Sequence, residues 1–424
     1  MQSSLPEAAR LAMDFEEVIL PNGLCVRLLP MPDYGAVHAI YATRFGSIDR
    51  AFSQSGTQHS IPSGVAHFLE HKMFENEDGV DAFSLYAATG AAANAYTSFD
   101  RTSYIFTATT DLERNLDILL SFVGHPHFTR ETVEKELGII AQEIGMYRDN
   151  AEMRCFFGIL ESLYHHHPIR DDIAGTVESI GTISPEMLYA CTDAFYAPAN
   201  MGLFVAGNLS MSQLLAAVNR AALPAQKAPP VQRSFPAEPT AVARPEHRFS
   251  MPVSMPLFAL GFKETPLEGP SVETEVLADL LGELLFGESS TLYRRLYDEG
   301  LVQPDFGCEF GLHDGCFHFV VSGESEKPET VREMVLAEIE RQRTEGISAE
   351  QFDICKKMMY GESIADLESV ERVASLLSSS YFRGRTPAME LAAIAGATRE
   401  DTQNALNRWF SIDRSAFLVI DPLQ

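Results

Sequence analysis

His67-Phe68-Leu69-Glu70-His71 holds the residues of this chain best suited to chemistry: two imidazoles four positions apart, with a carboxylate between them. On an α-helix, positions i and i+4 share a face, so both rings can reach one metal ion. Glu70 stands next to His71, close enough to take a proton from a metal-coordinated water without serving as a ligand. The H-x-x-E-H order is a motif of metal-assisted hydrolysis, with zinc as the expected ion.

A catalytic zinc takes three protein ligands and keeps a further position open. The third ligand must come from another segment. The pattern over Glu131–Asp149 predicts a helix on which Glu136 and Glu143 stand seven apart, two turns along one face. Glu143 falls inside Gly138-Ile139-Ile140-Ala141-Gln142-Glu143-Ile144-Gly145-Met146, an apolar stretch in which a free carboxylate would be poorly solvated. Around the first motif, Val65, Phe68, Leu69 and Met73 give an apolar setting, with Ser63 as the expected N-cap. Histidines and a glutamate in such a setting are costly unless they are paired or ligated.

The elements that must hold these residues recur along the chain. In the first half, patterning predicts strands over Gly23–Leu29, His38–Arg44 and Ser103–Thr109. It predicts helices around His67 and over Leu112–Val123 and Glu131–Asp149, then a closing helix at Pro185–Tyr196 and strand at Met201–Ala206. The second half reads as strands over Phe258–Lys263 and Cys316–Ser322 with helices over Glu273–Leu285, Ser290–Asp298 and Glu329–Arg343. It closes with a helix at Arg399–Phe410 and a strand at Ala416–Ile420. The closing units match in length and order, which points to an internal duplication. Between the halves, prolines at 224, 229, 230, 236, 239 and 245 exclude a helix or central strand and predict an extended linker. The expectation is an α+β fold of two homologous domains, each a mainly antiparallel sheet packed with helices. Residues 1–222 form the metal-binding domain, 223–245 the linker, and 246–424 a homologous domain lacking metal ligands.

Bulk properties narrow the function further. At 424 residues the chain exceeds one ordinary core, and 46% hydrophobic with 21% charged residues is a globular composition. A net charge of −27 speaks against nucleic-acid binding and against anchoring to anionic membranes. The six cysteines are scattered without a C-x-x-C pair, as expected of reduced thiols in a cytoplasmic protein. Met1–Glu17 lacks a basic n-region followed by an apolar core, so no signal peptide is expected, and the sequence has no apolar run long enough to span a membrane.

Taken together, Gly64-Val-Ala-His-Phe-Leu-Glu-His-Lys-Met-Phe-Glu75 and the helix with Glu136 and Glu143 resemble the pitrilysin or insulinase family of zinc peptidases. Ala93-Asn94-Ala95-Tyr96-Thr97, Asp100-Arg-Thr-Ser-Tyr104, His167-Pro168 and Gly175-Thr176 are similar to further family segments. The resemblance implies that His67, His71 and Glu143 ligate zinc and that Glu70 is the base. It implies that Glu136 orients a ligand histidine or otherwise supports the site. Ala93, Asn94 and Ala95 would lie on the edge strand that takes up peptide substrate by strand addition.

The second half departs from the family pattern. Active single-chain relatives carry an Arg and a Tyr there, about two helical turns apart, which contact substrate near the zinc. Here Tyr297 stands at the Arg position and Gln303 at the Tyr position, while Arg294 and Arg295 are out of register and read as exposed helix residues. The resemblance thus implies the zinc-carrying member of a heterodimer whose paralogous partner supplies the Arg and Tyr, a homodimer being the other arrangement. The competing function class is a non-catalytic structural subunit of the same fold, and the intact ligand set favours the peptidase. His165-His166-His167 reads as a structural turn, because adjacent side chains diverge. His125 and His127 read as exposed loop residues, and Cys308 and Cys316 as packing thiols.

Overall fold

The computed structural model of the chain describes residues 14–225, 228–267 and 271–423. Most of Met1–Glu17, on which the expected absence of a leader rests, lies outside them. The chain forms two compact units that interleave in sequence. One comprises Met1–Ile144, Asp172–Ser234 and Ser363–Met389; the other comprises Gly145–Asp171, Phe235–Glu362 and Glu390–Gln424.

The first unit carries β1 (Glu16–Ile19), β2 (Cys25–Pro30), β3 (Val37–Thr43), β4 (Ala51–Gln54), β5 (Thr57–Ser60), β6 (Ala92–Thr97), β7 (Thr102–Ala108), β8 (Met201–Gly207) and β9 (Gln232–Arg233). Its main sheet runs β1-β2-β8-β3-β7-β6, and β5-β4-β9 form a small second sheet. The second unit carries β10 (Glu246–Met251), β11 (Leu257–Glu264), β12 (Gly307–His313), β13 (Cys316–Glu324) and β14 (Ser415–Pro422), ordered β10-β14-β11-β13-β12. The two sheets share one topology. β2-β8-β3-β7-β6 corresponds to β10-β14-β11-β13-β12, with the first pair parallel and the later pairs antiparallel in both. This is the repeated α+β architecture expected from the sequence.

Helices α1 (Val65–Met73), α2 (Leu112–Gly124), α3 (Arg130–Asp149), α4 (Ala151–Leu163) and α5 (Val370–Phe382) matter most for the site and the sheets. In α2, Leu116, Leu119, Leu120 and Val123 are buried at the i, i+3, i+4, i+7 rhythm of one helix face. α5 lays Val370, Val373, Ala374 and Leu377 against Ile40, Ala42, Phe204 and Ala206 of β3 and β8. With α2 also packed on β3, every residue of β3 and β8 is buried, and these strands read as continuous rather than alternating apolar runs. In the second unit α4 packs on β11 and β14, the counterparts of β3 and β8. A Cβ at Gly261 would lie 2.9 Å from Ile159 Cγ1 and Leu163 Cδ1, so glycine there lets α4 approach the sheet. Sequence patterning did not single out α4 or α5. Among the described residues, no helix is long and apolar enough to cross a membrane.

Where it is described, the stretch expected to be a linker is extended but held. Gln232 and Arg233 pair with Ser53 and Phe52 as an outer strand of the small sheet, and Arg233 forms an ion pair with Asp49 at 2.7 Å. In the second unit, Glu238 accepts the N–H groups of His165, His166 and His167, each at 2.8 Å, and the Lys263 ammonium at 2.6 Å. The Lys263 and Glu238 side chains are 3% and 5% exposed. Burial alone would raise the Glu238 carboxyl, but the Lys263 hydrogen bond and the three backbone donors outweigh it and bring its pKa down to about 2. A depressed carboxylate pKa stabilises the fold above the unfolded value of about 4.3, and that contribution is lost as pH falls toward 2. Replacing Glu238 by Gln leaves Lys263 buried without a counter-charge, and should cost roughly 3–5 kcal/mol at neutral pH. The gap between wild type and Glu238→Gln, measured by denaturant unfolding, should narrow as pH falls from about 5 to about 2.

Candidate metal centre

The start of α1 fixes where its histidines point. Ser63 is not the N-cap that the sequence suggested. Gly64 holds that position in the left-handed region (φ 91°), without a side-chain cap, and the Ser63 carbonyl accepts the Ser179 hydroxyl at 2.9 Å. A Cβ on Gly64 would lie 2.5 Å from the Ala174 carbonyl oxygen, and one on Gly175 would lie 2.6 Å from that of Ser63. Two glycines with positive φ therefore let residues 174–175 press against the helix start. Beyond it, Val65, Phe68, Leu69 and Met73 are at most 1% exposed and lock the rotation of α1.

His67 and His71 face α3, with ring centroids 4.7 Å apart. Glu143 of α3 places Oε1 at 3.7 Å from His67 Nε2 and Oε2 at 3.4 Å from His71 Nε2. One ligand atom from each of the three residues lies within 4.8 Å of the others. Donors at about 2.0–2.1 Å around a tetrahedral ion stand about 3.3 Å apart, so these separations fit coordination better than direct hydrogen bonding. Glu136, one face-turn pair earlier on α3, sets Oε1 at 3.1 Å from His71 Nδ1. A proton on Nδ1 shared with Glu136 leaves the Nε2 lone pair directed at Glu143, an arrangement that calls for a cation between them. Burial works against a charged His71, but the Glu136 hydrogen bond and the charges of Glu143, Glu136 and Glu70 outweigh it and raise its pKa. His67 Nδ1 is buried without a hydrogen-bond partner. The residues thus fit a bound zinc ion.

Glu70 points to the same cleft and is held by Thr97, whose hydroxyl donates to Glu70 Oε2 at 2.6 Å. A cleft of about 420 Å³ is lined by Glu70, His71, Glu136, Asn94 and Ala95, with Phe74, Phe83 and Ile139 as its apolar wall. β6 is the outer strand of the main sheet. The Ala95 amide bonds to Asn94 Oδ1, and Ala93 pairs with Phe106 of β7.

Several sequence readings change. The stretch around Glu143 is less enclosed than its composition suggests: Ile139 and Met146 are exposed, and Glu143 itself is 20% exposed. Tyr297 is 51% exposed on its helix, and Gln303 is exposed too. His167 sits in a turn as expected, with Nε2 donating to the Asp314 carbonyl and Nδ1 accepting the Ile169 amide. His125 is exposed and His127 half-buried. Cys316 is buried, and all six cysteines are unpaired. Three residues near the site escaped the sequence reading of roles: Thr97 on Glu70, Gly175 at the start of α1, and Lys72. Lys72 is fully buried within α1 and forms an ion pair with Glu75. A lysine directly after His71 was its only sequence signal.

Fold and site together define a duplicated α+β protein with a two-histidine, one-glutamate cluster in one unit. Residues 56–177 match the model of the insulinase family (peptidase family M16), and residues 182–359 match the peptidase M16 inactive domain. The chain is 37% identical over 410 residues to the uncharacterized zinc protease YmfH of Bacillus subtilis (strain 168), covering 95% of each. It is 25% identical over 378 residues to the zinc protease PqqE of Helicobacter pylori, covering 86% of this chain and 82% of that one. The crystal structure of an M16-like peptidase from Alicyclobacillus acidocaldarius superposes with a TM-score of 0.93 at 35% identity, over 97% of this chain and 98% of the other. The chain belongs to the M16 (insulinase) family.

Metal analysis of purified protein should find about one zinc ion per chain after metal loading, lost in His71→Ala and Glu143→Gln. Glu136→Gln should keep the ion but weaken its binding roughly 10–100-fold, as read by competition with a chelator.

Proposed function

We propose that this chain is a zinc-dependent endopeptidase that hydrolyses peptides or unfolded segments, with His67, His71 and Glu143 as ligands and Glu70 as general base. The observation that carries the proposal is the convergence of atoms from His67, His71 and Glu143 within 4.8 Å, beside the Glu70 carboxylate on the helix of the two histidines. A bound zinc ion supplies Lewis acidity, polarising the peptide carbonyl and acidifying the attacking water. Glu70 takes the proton from that water and passes it to the leaving amine. Glu136 holds the His71 ring in the orientation that frees Nε2 for the metal. The outer edge of β6, at Ala93, Asn94 and Ala95, receives the peptide backbone as an added strand.

The same reading makes the chain one half of a working enzyme. Tyr297 and Gln303 stand where substrate-contacting Arg and Tyr are expected, so a paralogous subunit, or a second copy, would supply those contacts. The duplicated units that we assign are residues 1–222 and 246–424 about the stretch 223–245. This assignment is supported by the way the strand order repeats on either side. The unpaired cysteines support a cytoplasmic setting. A purely structural role is disfavoured because it gives no reason to gather two imidazoles and two glutamates around one point.

Glu70→Gln should retain zinc and lose at least about 100-fold in turnover of an internally quenched peptide. Undiminished cleavage by this variant would sink the assignment of the base. Cleavage by the pure chain should rise on mixing with a paralogue encoded beside it; equal rates alone and mixed would overturn the two-subunit reading.

A further inference from the structure

We infer that Thr97 is a positioning residue for Glu70, coupling the substrate-side strand to the base. The inference rests on the peptidase reading, since it gives Glu70 its task. Thr97 is the last residue of β6, and its hydroxyl donates to Glu70 Oε2 at 2.6 Å. A carboxylate has no proton to give, so the hydroxyl is the donor. Thr102 lies across the hairpin in register with Thr97, with its hydroxyl 3.4 Å away. Thr102 is fully buried and spends its own proton on the Phe45 carbonyl at 2.9 Å. Of the two acceptors in reach, the Glu70 carboxylate at 2.6 Å is nearer than the Thr102 hydroxyl at 3.4 Å, so the Thr97 proton goes to Glu70.

The hairpin that holds Thr97 is cross-bonded at its turn. Ser98 Oγ donates toward Asp100 Oδ1 and the Arg101 carbonyl and accepts the Arg101 amide, closing the turn between β6 and β7. Beneath it, Tyr104 and Tyr196 are buried and share a hydrogen bond of 2.9 Å. Glu70 is thus fastened at one oxygen to a hydrogen-bonded strand end, which leaves the other oxygen to meet the water it must deprotonate. A glutamate has three rotatable bonds, so without the hydroxyl the carboxylate samples rotamers that miss the reacting water. The fastening point lies two residues from Ala95, which lines the same cleft, so one strand both presents the edge that would pair with a peptide and sets the base against it.

The test compares Thr97→Val, which keeps shape without the hydroxyl, with Thr97→Ser, which keeps the hydroxyl. Zinc content and thermal midpoint are measured for both, with kcat and KM on an internally quenched peptide. The expected result is a fall in kcat of about 10–100-fold for Thr97→Val, with KM and zinc content unchanged, and near-wild-type kcat for Thr97→Ser. An unchanged kcat in Thr97→Val, a serine variant as damaged as the valine one, or an effect confined to KM would overturn the inference. If the wild type cleaves no peptide, the peptidase reading fails separately, and crystal structures of zinc-loaded wild type and Thr97→Val decide the matter. A Glu70 side chain displaced from the cleft in the variant supports the positioning role; an unmoved one rejects it.

Discussion

The constraint on which the first unit depends is that a carboxylate from one helix must meet two imidazoles from another within a few ångströms. His67 and His71 come from a nine-residue helix, and Glu143 from a twenty-residue one. Neither helix can set that distance alone. α1 is fixed by its glycine-paired start and by a buried apolar face, so its histidines have one direction available. α3 buries only Val133, Ile140 and Ile144, yet that stripe is enough to turn Glu136 and Glu143 toward α1. The seven-residue spacing then does two jobs. Glu143 meets His71 at Nε2, while Glu136 meets it at Nδ1, so one helix face supplies both a carboxylate beside the two imidazoles and the group that orients one of those rings.

The second unit shows that this arrangement is not a property of the topology. Its sheet repeats the strand order of the first, including the single parallel pair, and α4 covers the strands that correspond to those covered by α5. Its interior is an apolar core built around Phe258, Phe262, Leu281, Phe319 and Phe410. The same architecture therefore carries a two-histidine, one-glutamate cluster in the first unit, while among the described residues no such cluster is found in the second, which is the expected separation of fold from site.

How much of this was legible depended on the range of the interactions involved. Strands such as Met201–Gly207 and helices such as Pro185–Phe195 follow from local periodicity and fell within a residue or two of their expected limits. The pairing of His67 and His71 is equally local, because helical spacing alone puts them on one face. Glu143 could be nominated from its surroundings, but its approach to α1 is a tertiary fact. The Ser63 reading failed for a related reason. Serine is the better capping residue in isolation, yet the contact with Ala174, more than a hundred residues away, demands a glycine at the helix start. The interleaving of the two units was hidden for the same cause: α4 and α5 look like ordinary amphipathic helices, and nothing in their own sequence says which sheet they cover.

Charge balance explains one feature that motif matching leaves aside. Glu70, Glu136 and Glu143 gather around two imidazoles, and all three push the His71 pKa upward. Such a group of carboxylates attracts any cation within reach, including a side chain. Lys72 follows His71 directly and would be the obvious intruder, since an ammonium lodged among these oxygens would compete with a divalent ion. It is instead fully buried and matched by Glu75, so its charge already has a partner. A metal ion is a species of the right size and charge to sit among these oxygens and imidazoles between the two helices.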